Sequence, residues 1–227
     1  MNAVNALRLD AAIIDLDGTM VDTLGDFVVA LNAMLADLAL PAVERGFVEH
    51  AIGKGSEHLI RRTLAHVGAA PEAFDAAWAR YQHHYGLVNG RHAELYPGVA
   101  EGLRQLQAAG LKLACLTNKP GAFARALLAA KGIDHFFAVV HGGDAFAVKK
   151  PDPLPLLKTC EALGTQPART LMVGDSSNDA EAAHGAGCPL ALVSYGYNHG
   201  QPVRALRAHA HVDRLDELDL AALHARA

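Results

Sequence analysis

Short apolar runs alternate with amphipathic stretches along most of the chain. The apolar runs are rich in branched residues and end in polar or glycine-rich sequence, which is typical of buried strands. They are Ala11–Asp15, Leu111–Thr117, Phe137–His141, Thr170–Gly174 and Leu190–Ser194. Helical patterns lie between most of them, at Val99–Ala109, Ala122–Ala130, Leu154–Leu163 and Asp179–Ala186. Strands that alternate with helices predict an α/β fold with a Rossmann-like parallel sheet covered on both faces.

One long segment breaks this alternation. From about residue 21 to residue 94 the apolar residues recur at three-to-four spacing and predict helices only. A segment of this length is too long for a simple crossover between strands. We therefore predict an α/β core at residues 1–20 and 95–227, and an inserted all-helical cap domain at residues 21–94. The hinges should lie near Met20–Thr23 and Leu95–Gly98.

The composition excludes several classes of protein. With 51% hydrophobic and 19% charged residues, the chain can bury a sizeable core and is not disordered. A net charge of -4 and the lack of a basic run argue against a nucleic-acid partner. The sequence has no apolar run of the roughly 20 residues that a membrane span needs, and its start lacks the long apolar stretch of a signal peptide. Three widely spaced cysteines favour a reduced compartment. We expect a cytoplasmic monomer or homodimer.

Polar side chains follow four of the predicted strands. The first strand leads into Asp15-Leu16-Asp17-Gly18-Thr19, and the next ends in Thr117-Asn118-Lys119. Lys149-Lys150-Pro151 lies beyond the third, and the fourth leads into Gly174-Asp175-Ser176-Ser177-Asn178-Asp179. Ligands of open α/β sheets bind beyond the carboxyl ends of the strands. We therefore expect these groups to converge on one crevice.

Four carboxylates, from Asp15, Asp17, Asp175 and Asp179, would meet in that crevice. Carboxylates so close together repel one another unless a cation lies among them. A cluster of oxygen ligands suits a hard ion such as Mg²⁺, and the sequence has no His or Cys spacing typical of zinc. The alternative is a solvated acidic turn, which the DxDGT motif alone does not exclude.

The other strand ends offer groups that bind phosphate. Thr117 supplies a hydroxyl, and the backbone N–H groups near Gly121, where a helix is predicted to begin, form an anion seat. Thr117 is also an ordinary candidate for a helix N-cap. Lys150 would add a positive charge to the site, although it could instead be solvated, and Lys149 could replace it by spacing alone.

The ordered set of four motifs resembles the haloacid dehalogenase-like (HAD) hydrolases. It consists of Asp15-Leu-Asp-Gly-Thr, Leu116-Thr117-Asn118-Lys119, Lys150-Pro151-Asp152-Pro153 and Gly174-Asp175-Ser-Ser-Asn-Asp179. The helical insert resembles the cap of one subclass of this superfamily. The resemblance spans about residues 10 to 195 and implies a magnesium-dependent hydrolase that acts on phosphate monoesters.

The resemblance also implies a role for each motif residue. Asp15 would be the nucleophile that forms an aspartyl-phosphate, and Asp17 would be first the general acid and then the general base. Mg²⁺ would be held by the Asp15 carboxylate, the Asp17 backbone carbonyl and Asp175. The phosphoryl group would be bound by Thr117, the Asn118 backbone and Lys150. Asp179 would orient Lys150 or a metal-bound water.

Within the superfamily the chain most resembles the phosphoglycolate phosphatases. The stretches that carry this resemblance are Asp15–Thr23, Ile52–Leu64, Tyr96–Val99 and Lys150–Pro153. It implies a small phosphorylated metabolite as substrate, with 2-phosphoglycolate as the leading candidate. We expect the cap loop with Gly53, Lys54 and Ser56 to meet the carboxylate of that substrate. That loop could also be a simple helix–helix turn, and a lysine at position 54 departs from the uncharged residue expected there.

Several rival functions stay open at this point. A related sugar-phosphate phosphatase or a phosphomutase would share the core motifs and differ in the cap. A dehalogenase is disfavoured because displacement of a halide needs no acid such as Asp17 and no Mg²⁺. A non-catalytic binding module is disfavoured by the intact set of reactive groups.

Overall fold

The computed structural model describes residues 8–224, so residues 1–7 and 225–227 of the predicted core lie outside the described residues. A six-stranded sheet, in which every neighbouring pair of strands is parallel, forms its centre. Its strands, in spatial order, are β5 (Val139–His141), β4 (Lys112–Leu116), β1 (Ala11–Ile14), β6 (Thr170–Gly174), β7 (Leu190–Val193) and β8 (Ala210–Val212). This is the doubly wound order, in which the chain reverses direction across the sheet between β1 and β6.

Both faces of the sheet are buried, which explains the continuous apolar runs of its strands. All four residues of β1 are fully buried. Ala12 and Ile14 point into one hydrophobic cluster, and Ala11 and Ile13 point into another on the opposite face. This follows from the two-residue period of a strand. The helices that supply the two clusters must therefore cover both faces.

Helices connect the strands and cover the two faces. In the core they are α5 (Val99–Ala108), α6 (Gly121–Ala130), α7 (Leu154–Leu163), α8 (Ser177–Ala186) and the short α9 (Leu220–His224). Apolar residues of α5 and α6 pack in the cluster of Ile14, and those of α7 and α8 pack in the cluster of Ile13. The predicted α/β fold is confirmed, and most predicted bounds agree within one or two residues.

The inserted segment folds into four helices with an apolar cluster that they largely supply themselves. They are α1 (Leu24–Asp37), α2 (Arg45–Ala51), α3 (Ser56–His66) and α4 (Phe74–Val88). The rings of Phe27 and Tyr85 stack between α1 and α4 with centroids 5.3 Å apart. The buried Asp26 carboxylate accepts the N–H groups of Gly90 and His92 at 2.6 and 2.7 Å, which ties α1 to the chain after α4.

The two connections between cap and core differ from the predicted helices. Val21–Asp22 (β2) and Glu94–Leu95 (β3) pair as an antiparallel ribbon at the predicted hinges. Two residues give no periodicity, so the sequence did not predict this ribbon, and the three-residue β8 was also missed. No helix in the described part of the chain is long and apolar enough to cross a membrane.

Candidate active site

Asp15 lies directly after β1, at the point where the chain leaves the sheet. Its backbone N–H donates to the Val173 carbonyl at 3.0 Å, so pairing with β6 fixes the backbone at this position. The carboxylate oxygen Oδ1 accepts the Leu16 N–H at 2.7 Å and lies 3.1 Å from the Lys150 ammonium. Burial raises the pKa of Asp15 to about 7, although Lys150 opposes this rise.

Lys150 is buried between two carboxylates. Its Nζ atom donates to Asp179 Oδ1 at 2.6 Å and to the Leu116 carbonyl at 3.0 Å, besides its contact with Asp15. Burial alone would lower the pKa of the Lys150 ammonium, but the two carboxylates more than offset this effect, so the pKa lies above its ordinary value. Lys150 is therefore a permanent positive charge beside Asp15.

Asp179 holds both Lys150 and the beginning of α8. Its Oδ2 atom accepts the N–H groups of Asp175 and Ser176 at 3.2 and 3.1 Å and the Ser176 hydroxyl at 2.8 Å. Together with the Ser176 side chain this forms a capping box. The orientation of Lys150 is thus coupled to the N-terminus of a core helix.

A group of buried carboxylates fits a cation. Oxygen atoms of Asp15, Asp175 and Asp179 all lie within 4.8 Å of one another. Burial raises the pKa of Asp175, and the charges of Asp179 and Asp15 raise it further. A hard divalent cation would relieve this repulsion, and an oxygen-only donor set suits one. Gly18, at φ +84°, is required here because a Cβ atom would lie 2.3 Å from Asp175 Oδ2.

Asp17 faces a different partner. Its Oδ1 atom accepts a hydrogen bond from the Lys119 ammonium at 2.8 Å, and both side chains are largely buried. The Lys119 Nζ atom also donates to the Tyr85 hydroxyl of α4 at 2.5 Å. Asp17 therefore lies outside the carboxylate group of Asp15, and its side chain is linked to the cap through Lys119.

The cap loop after α2 touches the core through Gly53. The Gly53 carbonyl accepts the Asn118 side-chain amide at 2.9 Å and that of Asn178 at 3.3 Å. Asn118 also bonds both backbone polar groups of Lys150, at 2.8 and 3.1 Å. At Gly55, where φ is +87°, a Cβ atom would lie 3.2 Å from the Asn118 carbonyl oxygen, so glycine permits the close approach.

A small cavity of about 30 Å³ lies between cap and core. The core side of its lining includes Asp15, Asp17, Thr117, Asn118 and Lys119. The cap side includes Phe27, Ile52, Gly53, Ser56 and Tyr85. A larger cleft of about 530 Å³ elsewhere on the core, lined in part by His184 and His209, contains none of the predicted site residues. The motifs after β1 and β4 and the cap therefore line one small cavity, and Lys150, Asp175 and Asp179 are not part of its lining.

Residues 12–193 match the family model of the haloacid dehalogenase-like hydrolases. This chain belongs to that family. The match confirms the resemblance seen in the four motifs, and it includes the cap as well as β1, β4, β6 and β7.

Several relatives of this haloacid dehalogenase-like hydrolase are named phosphoglycolate phosphatase. A protein of Thiobacillus denitrificans named phosphoglycolate phosphatase is 42% identical over 94% of this chain and 96% of its own. A phosphoglycolate phosphatase of Cupriavidus necator is 45% identical over 95% and 94%. The crystal structure of a predicted phosphoglycolate phosphatase from Haemophilus somnus is 33% identical, with a TM-score of 0.89 over 92% of this chain and 96% of that chain.

Not every predicted site residue of this hydrolase lies where the motifs suggested. Lys54 is exposed and is not part of the cavity lining, whereas Gly53 and Ser56 are. The Gly121 N–H, expected in the anion seat, donates to Asp144 at 2.8 Å. Thr117 lines the cavity, and its hydroxyl accepts the Lys119 N–H at 3.2 Å.

Sequence reasoning missed several residues that shape the site. Lys119 belongs to the motif after β4, but the sequence indicated no catalytic or binding role for it. Thr19, also in a motif, donates its hydroxyl to Asp175 at 2.7 Å. Tyr197 donates its N–H to Asp175 at 2.6 Å, and its hydroxyl accepts the N–H groups of Thr23 and Leu24. Tyr197 lies in the loop after β7, where no motif or periodic pattern in the sequence indicates a functional residue.

Proposed function

We propose that the protein is a magnesium-dependent phosphomonoester hydrolase whose substrate is 2-phosphoglycolate, which it converts to glycolate and phosphate. The observation that carries the proposal is the largely buried Asp15 carboxylate, 3.1 Å from Lys150 and grouped with Asp175. Relatives that are 42% and 45% identical and are named phosphoglycolate phosphatase support the choice of substrate.

In the first step an Asp15 oxygen attacks phosphorus, and the bond from phosphorus to the glycolate oxygen breaks. Asp17 donates a proton to that leaving oxygen, so glycolate departs as an alcohol. The products of this step are an aspartyl-phosphate and an ionised Asp17. Lys150 neutralises charge on the phosphoryl oxygens, with Thr117 as a further hydrogen-bond donor.

In the second step water attacks the aspartyl-phosphate. Asp17 takes one proton from this water, the bond between Asp15 and phosphorus breaks, and phosphate leaves. Both carboxylates are then restored to their starting state. Splitting hydrolysis in this way replaces one difficult step with two easier ones.

The carboxylates of Asp15 and Asp175, with the backbone carbonyl of Asp17, would hold the magnesium ion. When bound, the ion would neutralise charge on the transferring phosphoryl group. Asp179 contributes indirectly, because it orients Lys150 through a 2.6 Å hydrogen bond.

A sugar bisphosphate is the second candidate substrate class. The structure of CbbY from Rhodobacter sphaeroides, 26% identical with a TM-score of 0.80, was determined as a D10N mutant in complex with xylulose-(1,5)bisphosphate. Relatives that are 42% and 45% identical and are named phosphoglycolate phosphatase favour the shorter substrate for this chain. A phosphomutase, the other alternative, would return the phosphoryl group to a sugar.

The test is a panel of about twenty phosphorylated metabolites, assayed for released phosphate with Mg²⁺ present and again with excess chelator. We expect the highest kcat/KM for 2-phosphoglycolate, no turnover in chelator, and recovery when Mg²⁺ is added back. Preferred turnover of a sugar bisphosphate, or formation of an isomeric sugar phosphate without free phosphate, would replace the proposal. Full activity in excess chelator would show that the enzyme needs no metal ion and would overturn that part of the proposal.

We also propose that the enzyme works in the cytoplasm, as a monomer or homodimer. The buried free thiols of Cys115, Cys160 and Cys188 support a reduced compartment. Fractionation of cells that express the chain, followed by light scattering of the purified protein, tests both statements.

A further inference from the structure

Lys119 is the only cationic side chain among the described residues that line the cavity between cap and core. Its side chain is 2% exposed, so its charge acts where water screens it weakly. The nucleophile Asp15 lines the same cavity. A substrate whose phosphoryl group meets Asp15 would therefore have its organic part within reach of a buried ammonium.

The surroundings of Lys119 hold its ammonium in place. The Tyr85 hydroxyl accepts a hydrogen bond from Nζ at 2.5 Å, and Nζ lies 4.6 and 4.8 Å from the ring centroids of Phe27 and Tyr85. Both aromatic residues belong to cap helices, whereas Lys119 belongs to the core. The position of the ammonium therefore depends on the cap being seated on the core.

The same ammonium already contacts one carboxylate. Asp17 Oδ1 lies 2.8 Å from Nζ, so a carboxylate fits beside Lys119 without a clash. An ammonium has three N–H groups, and Lys119 uses two of them in bonds to described residues. One donor is left for an oxygen atom in the cavity.

The other candidate lysines are less suited to this role. The charge of Lys150 is shared between Asp15 and Asp179, and its contact with Asp15 at 3.1 Å suits the phosphoryl group. Lys54 is exposed and does not line the cavity.

We propose that Lys119 binds the substrate carboxylate and thereby selects small acidic phosphoesters over neutral ones of equal size. The inference rests on the proposed function and names the residue that gives it specificity. Because Tyr85 and Phe27 help to position Lys119, selection takes place when the cap is closed. The other residues of the core motifs bind any phosphoryl group, so this contact of Lys119 supplies the discrimination that they lack.

The experiment compares 2-phosphoglycolate with its carboxamide, which keeps the phosphoryl group but replaces the carboxylate with a neutral amide of nearly the same size. The kcat/KM ratio of acid to amide is measured in the wild type, Lys119→Met and Lys119→Gln. We expect each variant to lower this ratio by about 10- to 100-fold, the effect of losing one hydrogen bond between charged groups. Lys119→Arg should retain part of the preference.

Two further lysines serve as comparisons. Lys54→Met tests the rival contact inferred from the sequence, and Lys158→Met removes an exposed lysine that pairs with Glu161 on α7. Neither should change the ratio. If acid and amide lose activity equally in the Lys119 variants, Lys119 only positions Asp17 and the proposal fails. It also fails if the ratio falls in Lys54→Met.

Failure of the proposed function would look different. A wild type that hydrolyses p-nitrophenyl phosphate but not 2-phosphoglycolate would overturn the proposed identity of the substrate. The ratio for a longer acidic phosphoester and its amide would still test Lys119. Circular dichroism and thermal unfolding check that the variants fold. If Lys119→Met and Lys119→Gln both unfold, Tyr85→Phe decides, because it removes the hydroxyl that holds Lys119 Nζ in place: an acid-to-amide ratio unchanged from the wild type then overturns the proposal.

Discussion

Asp15 and Asp17 stand two positions apart in the sequence, yet their carboxylates face different partners. Asp15 contacts Lys150 on the core side of the crevice, and Asp17 contacts Lys119 beside the cap. The chain turns just after Asp17, at Gly18, which has a φ of +84°. Two equal side chains in different surroundings can thus serve as nucleophile and as acid–base group.

Asp15→Asn is expected to abolish turnover. The amide is nearly the same size, but it cannot form the acyl-phosphate. Phosphate release from 2-phosphoglycolate is the measurement, and thermal unfolding is the control for folding. Activity above a few per cent of the wild type would remove Asp15 from the nucleophile role.

Asp17→Asn should lower kcat by about 10²–10⁴, the usual contribution of general acid–base catalysis. The first-step loss should be smaller for p-nitrophenyl phosphate, whose leaving group needs little protonation, than for an alkyl phosphate. Single-turnover kinetics on both esters would measure this step. An equal loss on the two esters would contradict the acid role.

At the scale of single residues, motif spacing predicted the groups at strand ends but not their partners. Asp15, Lys150 and Asp175 follow strands whose ends must meet at one edge. Tyr197 contacts both Asp175 and the first turn of α1, and no local pattern marks it. Its role comes from two distant segments that meet only in the folded chain.

At the scale of elements, the apolar runs predicted strands well where burial is complete. β6 and α7 have the predicted bounds. The sequence did not predict β8, because its three residues are only half-buried at the sheet edge and therefore show no strong apolar pattern. The sequence did not predict the ribbon of β2 and β3, because the two strands that pair lie about 70 residues apart in the chain.

The cap depends on one buried carboxylate. Asp26→Ala should lower the free energy of unfolding by about 2–4 kcal/mol, because the Gly90 and His92 N–H groups lose a charged acceptor. Urea unfolding measures this loss. Asp37→Ala, at the exposed end of the same helix, is the matched control and should have a much smaller effect. Equal losses in the two variants would show that Asp26 does not tie α1 to the chain after α4.

At the scale of the whole molecule, metal and pH should act on stability together. Asp15 has an ordinary pKa of 3.8 and a pKa of about 7 in the fold, so the folded chain holds its proton more tightly. The contribution of Asp15 to the stability of the metal-free protein should therefore fall as pH rises from about 4 to 7, by at most about 4 kcal/mol. Asp175, whose pKa burial also raises, acts in the same direction.

Thermal unfolding of the chelated protein at pH 5 and pH 8 measures this effect. Mg²⁺ should restore stability at pH 8, because a ligand that binds only the folded state stabilises it. Asp15→Asn should flatten the pH dependence of the metal-free protein. A pH dependence that is the same in the chelated wild type and in chelated Asp15→Asn would contradict the assignment.

The sequence by itself determined the layers, the inserted cap and the edge of the sheet at which the reactive groups meet. It could do so because periodicity and strand-end motifs are local properties. The tertiary structure alone decided which polar groups pair: Lys119 with Asp17, Lys150 with Asp15 and Asp179, and the Gly53 carbonyl with Asn118. The lysine pairs join distant segments of the core, and the Gly53 contact joins the cap to the core. Their geometry follows from how the packed elements sit against one another.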